Sequence, residues 1–214
     1  MRESLDSNPV FQLPARIVVL VAGLLAAAAL AGCARQGNWH GVNISGSLPA
    51  LSFDMVRAND GKEVSSADYR GKVTLLYFGY TYCPDVCPTT LSHLERIIGS
   101  LGPDASSVRV LFVTVDPDRD TLPELKQYAN AFGSQFDALR GTPNQIAALA
   151  RRYRVAYSVR PEAPGQPYEV THSSSVFVFD RTGAARLLVP ALSTENADRK
   201  GVAEDLERLI RSKG

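Results

Sequence analysis

Cysteine, methionine and tryptophan are scarce in this chain, with 3, 2 and 1 copies in 214 residues. Three cysteines are too few for a disulfide scaffold, and a chain of this length builds a hydrophobic core without one. The two methionines, Met1 and Met55, exclude a methionine-rich metal-binding stretch. Any chemistry that the cysteines carry must therefore come from a few individual positions.

An excess of either charge sign is also lacking, since 23 lysines and arginines balance 22 aspartates and glutamates, for a formal net charge of +1. The charges are mixed along the chain and form no basic stripe, which excludes nucleic acid as an expected partner. Long apolar runs are absent as well. Residues 17–32 are apolar, but this run falls short of the about 20 residues that cross a bilayer.

The N-terminal residues have the layout of a secretory signal, in which a polar segment with Arg2 and Arg16 precedes the apolar run. The run ends in Leu30-Ala31-Gly32-Cys33, which resembles the bacterial lipobox, where the cysteine is lipidated and becomes the mature N-terminus. We predict a signal peptide over residues 1–32, lipidated Cys33 with a flexible tether over residues 33–50, and a folded domain over residues 51–214. An uncleaved anchor is the alternative. Both readings tether the domain to a membrane on the periplasmic or extracytoplasmic side.

The other two cysteines lie in the segment Tyr82-Cys83-Pro84-Asp85-Val86-Cys87-Pro88, between a predicted strand and a predicted helix. Residues 73–78 are an unbroken run of apolar, β-branched and aromatic residues, typical of a strand buried on both faces. Over residues 91–101 the apolar positions recur at helical spacing. The start of a helix favours thiolate over thiol. Two thiolates with three residues between them suit one soft metal ion or a small disulfide ring, and the alternative is a pair of buried structural cysteines.

An acidic loop, Asp116-Pro117-Asp118-Arg119-Asp120, follows a second predicted strand over residues 108–115. Its three aspartates suit a metal ion or a partner. Solvated charges that match the start of the next helix are the alternative, which we favour from the sequence.

The three histidines give weaker signals. His172 precedes a strand predicted over residues 174–180, and spacing alone favours a structural role for it. His93 lies six residues past Cys87, about 600° of helical rotation away from it, so it is expected to be exposed or packed elsewhere. His40 and its neighbour Trp39 are interpreted as incidental residues of the tether.

The order of elements predicts an α/β protein with a thioredoxin-like fold: a central mixed β-sheet flanked by helices, with an N-terminal β-hairpin extension. The hairpin is expected around an Asp60-Gly61 turn. Strand, helix and strand follow as a parallel crossover. Two further helices are predicted after capping boxes that begin at Thr121 and Thr142. A strand, a second hairpin and a C-terminal amphipathic helix complete the order.

Three separated blocks, over residues 82–88, 115–121 and 171–174, resemble the signature of the Sco/SenC family. The resemblance extends from about residue 51 to the C-terminus. Members of this family are membrane-anchored copper proteins for cytochrome c oxidase assembly. The resemblance implies that Cys83, Cys87 and His172 bind one copper ion per chain, as Cu(I) and also as Cu(II), and that the two cysteines form a redox-active disulfide. Two thiolates and an imidazole suit copper, whereas a structural zinc site uses four protein ligands.

The function that the resemblance implies is delivery of copper to the binuclear copper centre of cytochrome c oxidase subunit II, or reduction of the cysteines of that centre during assembly. The chain would then be mainly a copper metallochaperone, with thiol-disulfide reductase activity as a second role. Other copper chaperones or thioredoxin-like reductants would be additional partners. We expect Asp85, Asp116, Asp118 and Asp120 to border the site and to contact the partner.

Two other classes fit parts of the sequence. A general periplasmic thiol-disulfide oxidoreductase or redox sensor would use Cys83 and Cys87, but oxidoreductases normally place two residues between their cysteines, and a cis-proline where this chain has Thr171-His172-Ser173. A peroxiredoxin is suggested by Val86-Cys87-Pro88-Thr89. In that family a threonine precedes the reactive cysteine by three residues, and Pro84 stands there in this chain.

Overall fold

An eight-stranded mixed sheet forms the centre of the described part of the chain, with the strand order β1-β10-β9-β4-β5-β6-β2-β3. The computed structural model describes residues 38–160, 164, 168–190 and 192–212. The predicted signal peptide and the predicted lipidation site Cys33 lie outside these residues. Within them, no helix has both the length and the apolar character needed to cross a membrane.

The strands of this sheet are β1 (Val42–Asn43), β2 (Asp54–Arg57), β3 (Lys62–Ser65), β4 (Val73–Gly79), β5 (Val108–Thr114), β6 (Phe136–Arg140), β9 (Val176–Phe179) and β10 (Ala185–Val189). A separate two-stranded ribbon contains β7 (Tyr157–Arg160) and β8 (Glu169–His172). The α-helices are α1 (Val86–Ser100), α2 (Leu122–Asn130), α3 (Pro143–Arg152) and α4 (Arg199–Arg211).

Strand β4 occupies the middle of the sheet and is buried along its whole length. It runs parallel to β5 and antiparallel to β9. Helices α1, α2 and α4 pack against one face of the sheet, and α3 packs against the other. Because both faces of β4 are covered, side chains on both faces are buried, which explains the nearly continuous apolar run in the sequence. The thioredoxin-like fold predicted from the order of elements is confirmed.

The local signals of turns and helix starts are also confirmed. The hairpin β2–β3 turns at Gly61, whose φ of +74° favours glycine. Thr121 caps α2 and Thr142 caps α3, each in a reciprocal capping box with the residue three positions on.

The predicted tether is wrong for its part from Trp39 onward. The described residues from Trp39 onward form one compact unit. In that unit β1 pairs with β10, and the backbone N–H groups of His40 and Gly41 both donate to Asp205 Oδ2 at 2.9 Å. His40 also lies 3.1 Å from Asp198 Oδ2 and 3.2 Å from Glu204 Oε2. The Gly- and Ser-rich composition of this segment gave no sequence signal for the edge strand β1. Its contacts are made by the backbone and by carboxylates that are distant in sequence.

The sequence reading also missed β6 and the separation of the β7–β8 ribbon from the main sheet. Strand β6 contains Asp137 and Arg140, and it pairs in parallel with β5. Asp137 is buried and accepts a hydrogen bond from Tyr69 at 3.0 Å. A buried aspartate interrupts the apolar pattern that would otherwise predict a central strand.

Candidate metal centre

Cys83 and Cys87 lie at the carboxyl end of β4, where the chain turns into α1. Helix α1 begins at Val86, so Cys87 is in its first turn and Cys83 precedes it in the loop. Both cysteines are free; Cys87 is fully buried and Cys83 is half-buried. The backbone N–H of Cys87 donates to Cys83 Sγ at 3.4 Å. An N–H at a helix start thus points at the Cys83 sulfur, as the sequence predicted.

His172 ends strand β8 and brings its imidazole to the same place. Its Nε2 lies 3.1 Å from Cys87 Sγ, and its Nδ1 lies 3.0 Å from the carbonyl oxygen of Ser173. Because a carbonyl only accepts, Nδ1 carries the proton in this arrangement and Nε2 presents its lone pair. His172 therefore has the tautomer and the position that a metal ligand needs, contrary to the structural role that spacing alone favoured.

The three candidate ligand atoms, two Sγ and one Nε2, all lie within 4.8 Å of one another. With metal–sulfur bonds of about 2.3 Å and metal–nitrogen bonds of about 2.0 Å, three ligands around one ion are separated by roughly 4 Å. The residues present therefore fit one three-coordinate ion of a soft metal such as copper. That they ligate copper is tested by the experiment proposed below.

The two thiols differ in acidity. The pKa of Cys83 is held well below its usual range, mainly by a hydrogen bond from the Cys87 thiol and further by two backbone N–H groups, against the effect of burial. The pKa of Cys87 is raised by its hydrogen bond to Cys83 and by burial. Cys83 is therefore the more acidic of the two thiols, and the thiolate is the nucleophilic form of cysteine.

Aromatic rings enclose the imidazole. Tyr77 and Tyr80 both meet His172 edge-on, with ring centroids 6.0 and 5.8 Å from that of the imidazole. Tyr82 is 57% exposed and forms part of the rim next to Cys83. The rings restrict the orientation of His172 on one side, while the Cys83 side remains open to solvent.

The acidic loop supports the site through hydrogen bonds of its buried carboxylates. Our interpretation of the loop as solvated charge is wrong for two of its three aspartates. Asp116 and Asp120 have no exposed surface. Asp120 accepts hydrogen bonds from Thr81 N at 3.1 Å, from Thr81 Oγ1 at 2.5 Å and from Thr114 Oγ1 at 2.5 Å. It therefore ties the loop that carries Cys83 to the end of β5.

Asp116 connects the acidic loop to the β7–β8 ribbon, which carries His172 and is called the histidine ribbon below. Its carboxylate accepts from the Tyr168 hydroxyl and from Arg119 Nε, both at 2.5 Å, and Tyr168 directly precedes β8. Arg119 also stacks over the Tyr168 and Tyr82 rings, at 3.8 and 4.9 Å from their centroids. Since Asp116 and Asp120 are buried and bonded within the chain, they are not available for the partner contact that we predicted. Asp85 and Asp118 are exposed, and their role in partner contact stays a prediction.

Sequence reasoning missed Arg119 and Tyr168 as residues of the site. Nothing in the acidic loop or in the Pro- and Gly-rich segment before β8 distinguishes buried charges from solvated ones. His93 lies away from the site: it is buried, and its Nδ1 is 2.7 Å from the Leu192 carbonyl oxygen.

We expect Asp120→Ala to lower the free energy of unfolding by about 3 kcal/mol, because three donors lose a buried acceptor. Burial raises the pKa of Asp120, and hydrogen bonds from the hydroxyls of Thr114 and Thr81 oppose that rise. These donors therefore stabilise the buried carboxylate. Urea denaturation of the metal-free chain measures the effect. Asp118→Ala is the matched control, expected within about 0.5 kcal/mol of the wild type. Equal losses for the two variants would contradict the bridging role.

The fold and the site together define a class of protein: a thioredoxin-like domain with two thiols and an imidazole gathered at the end of its central strand. The chain belongs to the SCO1/SenC family, whose sequence model matches residues 48–211. Family membership, predicted from three sequence blocks, is thereby confirmed.

Known relatives agree with this assignment. The bovine mitochondrial protein SCO2 homolog is 40% identical over 153 residues, which cover 71% of this chain and 54% of the bovine protein. The chain spans about half the length of this bovine relative and of the mouse SCO2 homolog. ScoI of Bradyrhizobium japonicum, solved with copper bound, superposes with a TM-score of 0.65 and 34% identity, covering 75% of this chain and 98% of that one. Apo Sco1 of Thermus thermophilus gives a TM-score of 0.69 and 34% identity, over 82% of this chain and 99% of that one.

Proposed function

We propose that this chain binds one copper ion through Cys83, Cys87 and His172 and serves the assembly of cytochrome c oxidase. It would deliver copper to the binuclear centre of subunit II, or reduce the cysteines of that centre so that copper can enter. The observation that carries the proposal is the convergence of the three ligand atoms within 4.8 Å. Family membership supports it, as does the copper-bound state in which the similar Bradyrhizobium ScoI was solved.

The donor set suits a copper ion that must be passed on. Two thiolates and one neutral imidazole hold Cu(I) in a low-coordinate site, and the imidazole also accommodates Cu(II). Cys87 forms the inner wall, whereas Cys83 and His172 are both half-buried. An incoming thiol or imidazole of an acceptor would therefore approach the ion from the side of Cys83 and His172.

The same pair supports disulfide reduction as the second role. The Cys83 thiolate would attack one sulfur of the acceptor disulfide, form a mixed disulfide and release one acceptor thiolate. Cys87 would then lose its proton and attack Cys83 Sγ, releasing the second acceptor thiolate and leaving a Cys83–Cys87 disulfide. Two electrons pass from this chain to the acceptor. The oxidised pair has no thiolate left for copper, so copper binding and oxidation exclude each other.

The location and the partner surface belong to the proposal as well. A lipid on Cys33 would hold the domain at a membrane on the periplasmic or extracytoplasmic side. The lipobox-like Leu30-Ala31-Gly32-Cys33 supports this. Exposed Asp85 and Asp118 would contact the partner near the copper site. Unchanged loading of subunit II after charge reversal at both positions would count against that contact.

The test of copper binding is the stoichiometry and Cu(I) affinity of the reduced full chain in mild detergent, measured by anaerobic competition. We expect one tightly bound ion, and we expect His172→Ala to weaken binding at least about tenfold, or 1.4 kcal/mol. His40→Ala is the matched control, since that histidine binds carboxylates of α4 away from the site. If copper binds no better than to two thiols and His172→Ala changes nothing, thiol-disulfide exchange becomes the leading function.

A further inference from the structure

Two buried hydroxyl groups beside the cysteine pair have no hydrogen-bond partner. They are Tyr77 Oη and Thr90 Oγ1, and both residues are fully buried. A buried hydroxyl without a partner costs about 1–3 kcal/mol relative to a satisfied one, so such groups are uncommon in folded proteins. Neither hydroxyl has a part in the function proposed above.

The fold directs both side chains toward Cys87. Tyr77 and Gly79 alternate with Phe78 on β4 and therefore share the face that packs against α1. At Gly79 this face comes so close that an added Cβ would lie 2.8 Å from Cys87 Sγ. Thr90 follows Cys87 by three residues on α1, which places it on the same side of the helix.

The ring packing agrees with this placement. The Tyr77 ring meets the His172 imidazole edge-on with centroids 6.0 Å apart, and Nε2 of that imidazole lies 3.1 Å from Cys87 Sγ. Burial is the main cause that raises the pKa of Tyr77, and Cys87 adds to it. Tyr77, His172 and Cys87 therefore pack around one point in the core.

The demand for a donor arises when Cys87 binds copper. A cysteine that binds copper is deprotonated. The Cys87 sulfur then carries negative charge at a position that has no exposed surface. No water reaches such a sulfur, so a protein group must supply the hydrogen bond that stabilises it.

We propose that Tyr77 is a positioning residue for Cys87, whose thiolate sulfur accepts a hydrogen bond from the Tyr77 hydroxyl, with the Thr90 hydroxyl donating in turn to Tyr77 Oη. This inference rests on the proposed function, because it takes Cys87 as a copper ligand. A chain of two hydroxyls strengthens the donor nearest the sulfur, since hydrogen bonds in series polarise one another. The hydrogen bond lowers the electron density on the sulfur and so tunes the copper–thiolate bond.

The test compares Tyr77→Phe and Thr90→Val with a control, Tyr128→Phe, in the full chain in detergent. Tyr128 also has a buried hydroxyl without a partner, but its ring packs on Phe112 and Phe132 rather than on the imidazole. Three quantities are measured: the Cu(I) affinity, the energy of the thiolate-to-Cu(II) charge-transfer band, and the free energy of unfolding without metal.

We expect Tyr77→Phe to weaken Cu(I) binding about tenfold and to move the charge-transfer band to lower energy. Thr90→Val should shift both quantities less, in the same directions. Metal-free Tyr77→Phe should unfold at the same or higher urea concentration, because the hydroxyl it removes has no partner in that state. A purely structural tyrosine would instead show lower stability with an unshifted band.

The inference is overturned if wild type and Tyr77→Phe bind copper equally with the same charge-transfer energy, or if Tyr128→Phe shifts both quantities as much. The proposed function stands in either case. If the wild-type chain binds no copper, the proposed function fails, and the role of Tyr77 fails with it.

Discussion

Cys87→Ser is expected to reduce the Cu(I) affinity of the reduced chain at least about a thousandfold, equivalent to about 4 kcal/mol. The substitution exchanges a soft thiolate for a hydroxyl that stays protonated at neutral pH and is a poor ligand for Cu(I). No other donor takes its place, because the position is fully buried and the remaining ligands are already used. The same change also ends any reduction of disulfides by the pair, since no second thiol remains to release the mixed disulfide.

The matched control is Cys33→Ser, the same substitution at the cysteine that we predict to be lipidated. It should leave copper affinity and stoichiometry unchanged and affect only attachment to the membrane. Anaerobic competition with a Cu(I) chelator measures the affinity of both variants. If Cys87→Ser retains the wild-type affinity, or if Cys33→Ser loses it, the assignment of the ligands is wrong.

Gly79→Ala is expected to destabilise the metal-free chain by about 3 kcal/mol, near the upper end of overpacking effects. A Cβ at this position would lie 2.6 Å from Phe112 Cε2 and 2.8 Å from Cys87 Sγ. Both neighbours are buried in the core between β4, β5 and α1, so a shift of either side chain disturbs other packed residues. The strain therefore falls on the Cys87 side chain, so copper affinity should fall together with stability.

Gly99→Ala is the control with the opposite expected sign. Gly99 is in α1, and an added Cβ meets no atom within 4 Å. Alanine in a helix interior is favoured over glycine by roughly 0.5–1 kcal/mol, so this variant should unfold at higher urea concentration than the wild type. If both variants change stability in the same direction and by the same amount, close packing at Gly79 is not what requires a glycine there.

Local patterns in the chain account for much of the fold. The run at β4, the apolar stripe of α1 and the capping boxes at Thr121 and Thr142 each depend on residues within a few positions of one another. These local signals predict the structure correctly because residues that are close in sequence are also close in the folded chain. Strand β6 escaped prediction because its buried Asp137 is satisfied by Tyr69, a residue that is distant in sequence.

The residues of the site also fall into two groups, those that the local sequence identifies and those that it does not. Cys83 and Cys87 are recognisable from their spacing and from the strand and helix around them. His172 is separated from Cys87 by 85 positions, and only its resemblance to a family block marked it as a ligand. Its own neighbours in the sequence favoured a structural histidine.

The acidic loop shows most clearly what a sequence leaves open. Asp116, Asp118 and Asp120 alternate along five residues, and a solvated loop would have the same composition. The structure buries the first and the last and exposes the middle one. Burial of a carboxylate is tolerated only where donors meet it, and those donors come from the cysteine loop, from β5 and from Tyr168 at the start of the histidine ribbon.

By itself, the sequence determined the thioredoxin-like order of elements apart from β1 and β6, the family and the cysteine pair, because each depends on local periodicity or on contiguous motifs. The tertiary structure alone decided that the His172 imidazole meets Cys87, that Asp116 and Asp120 are buried supports, that the chain joins the folded unit from Trp39, and that Tyr77 packs on the His172 imidazole. The physical reason is that these are contacts between distant segments. Their energies depend on burial and on matched donors, which appear only when the sheet, the helices and the ribbon have packed together.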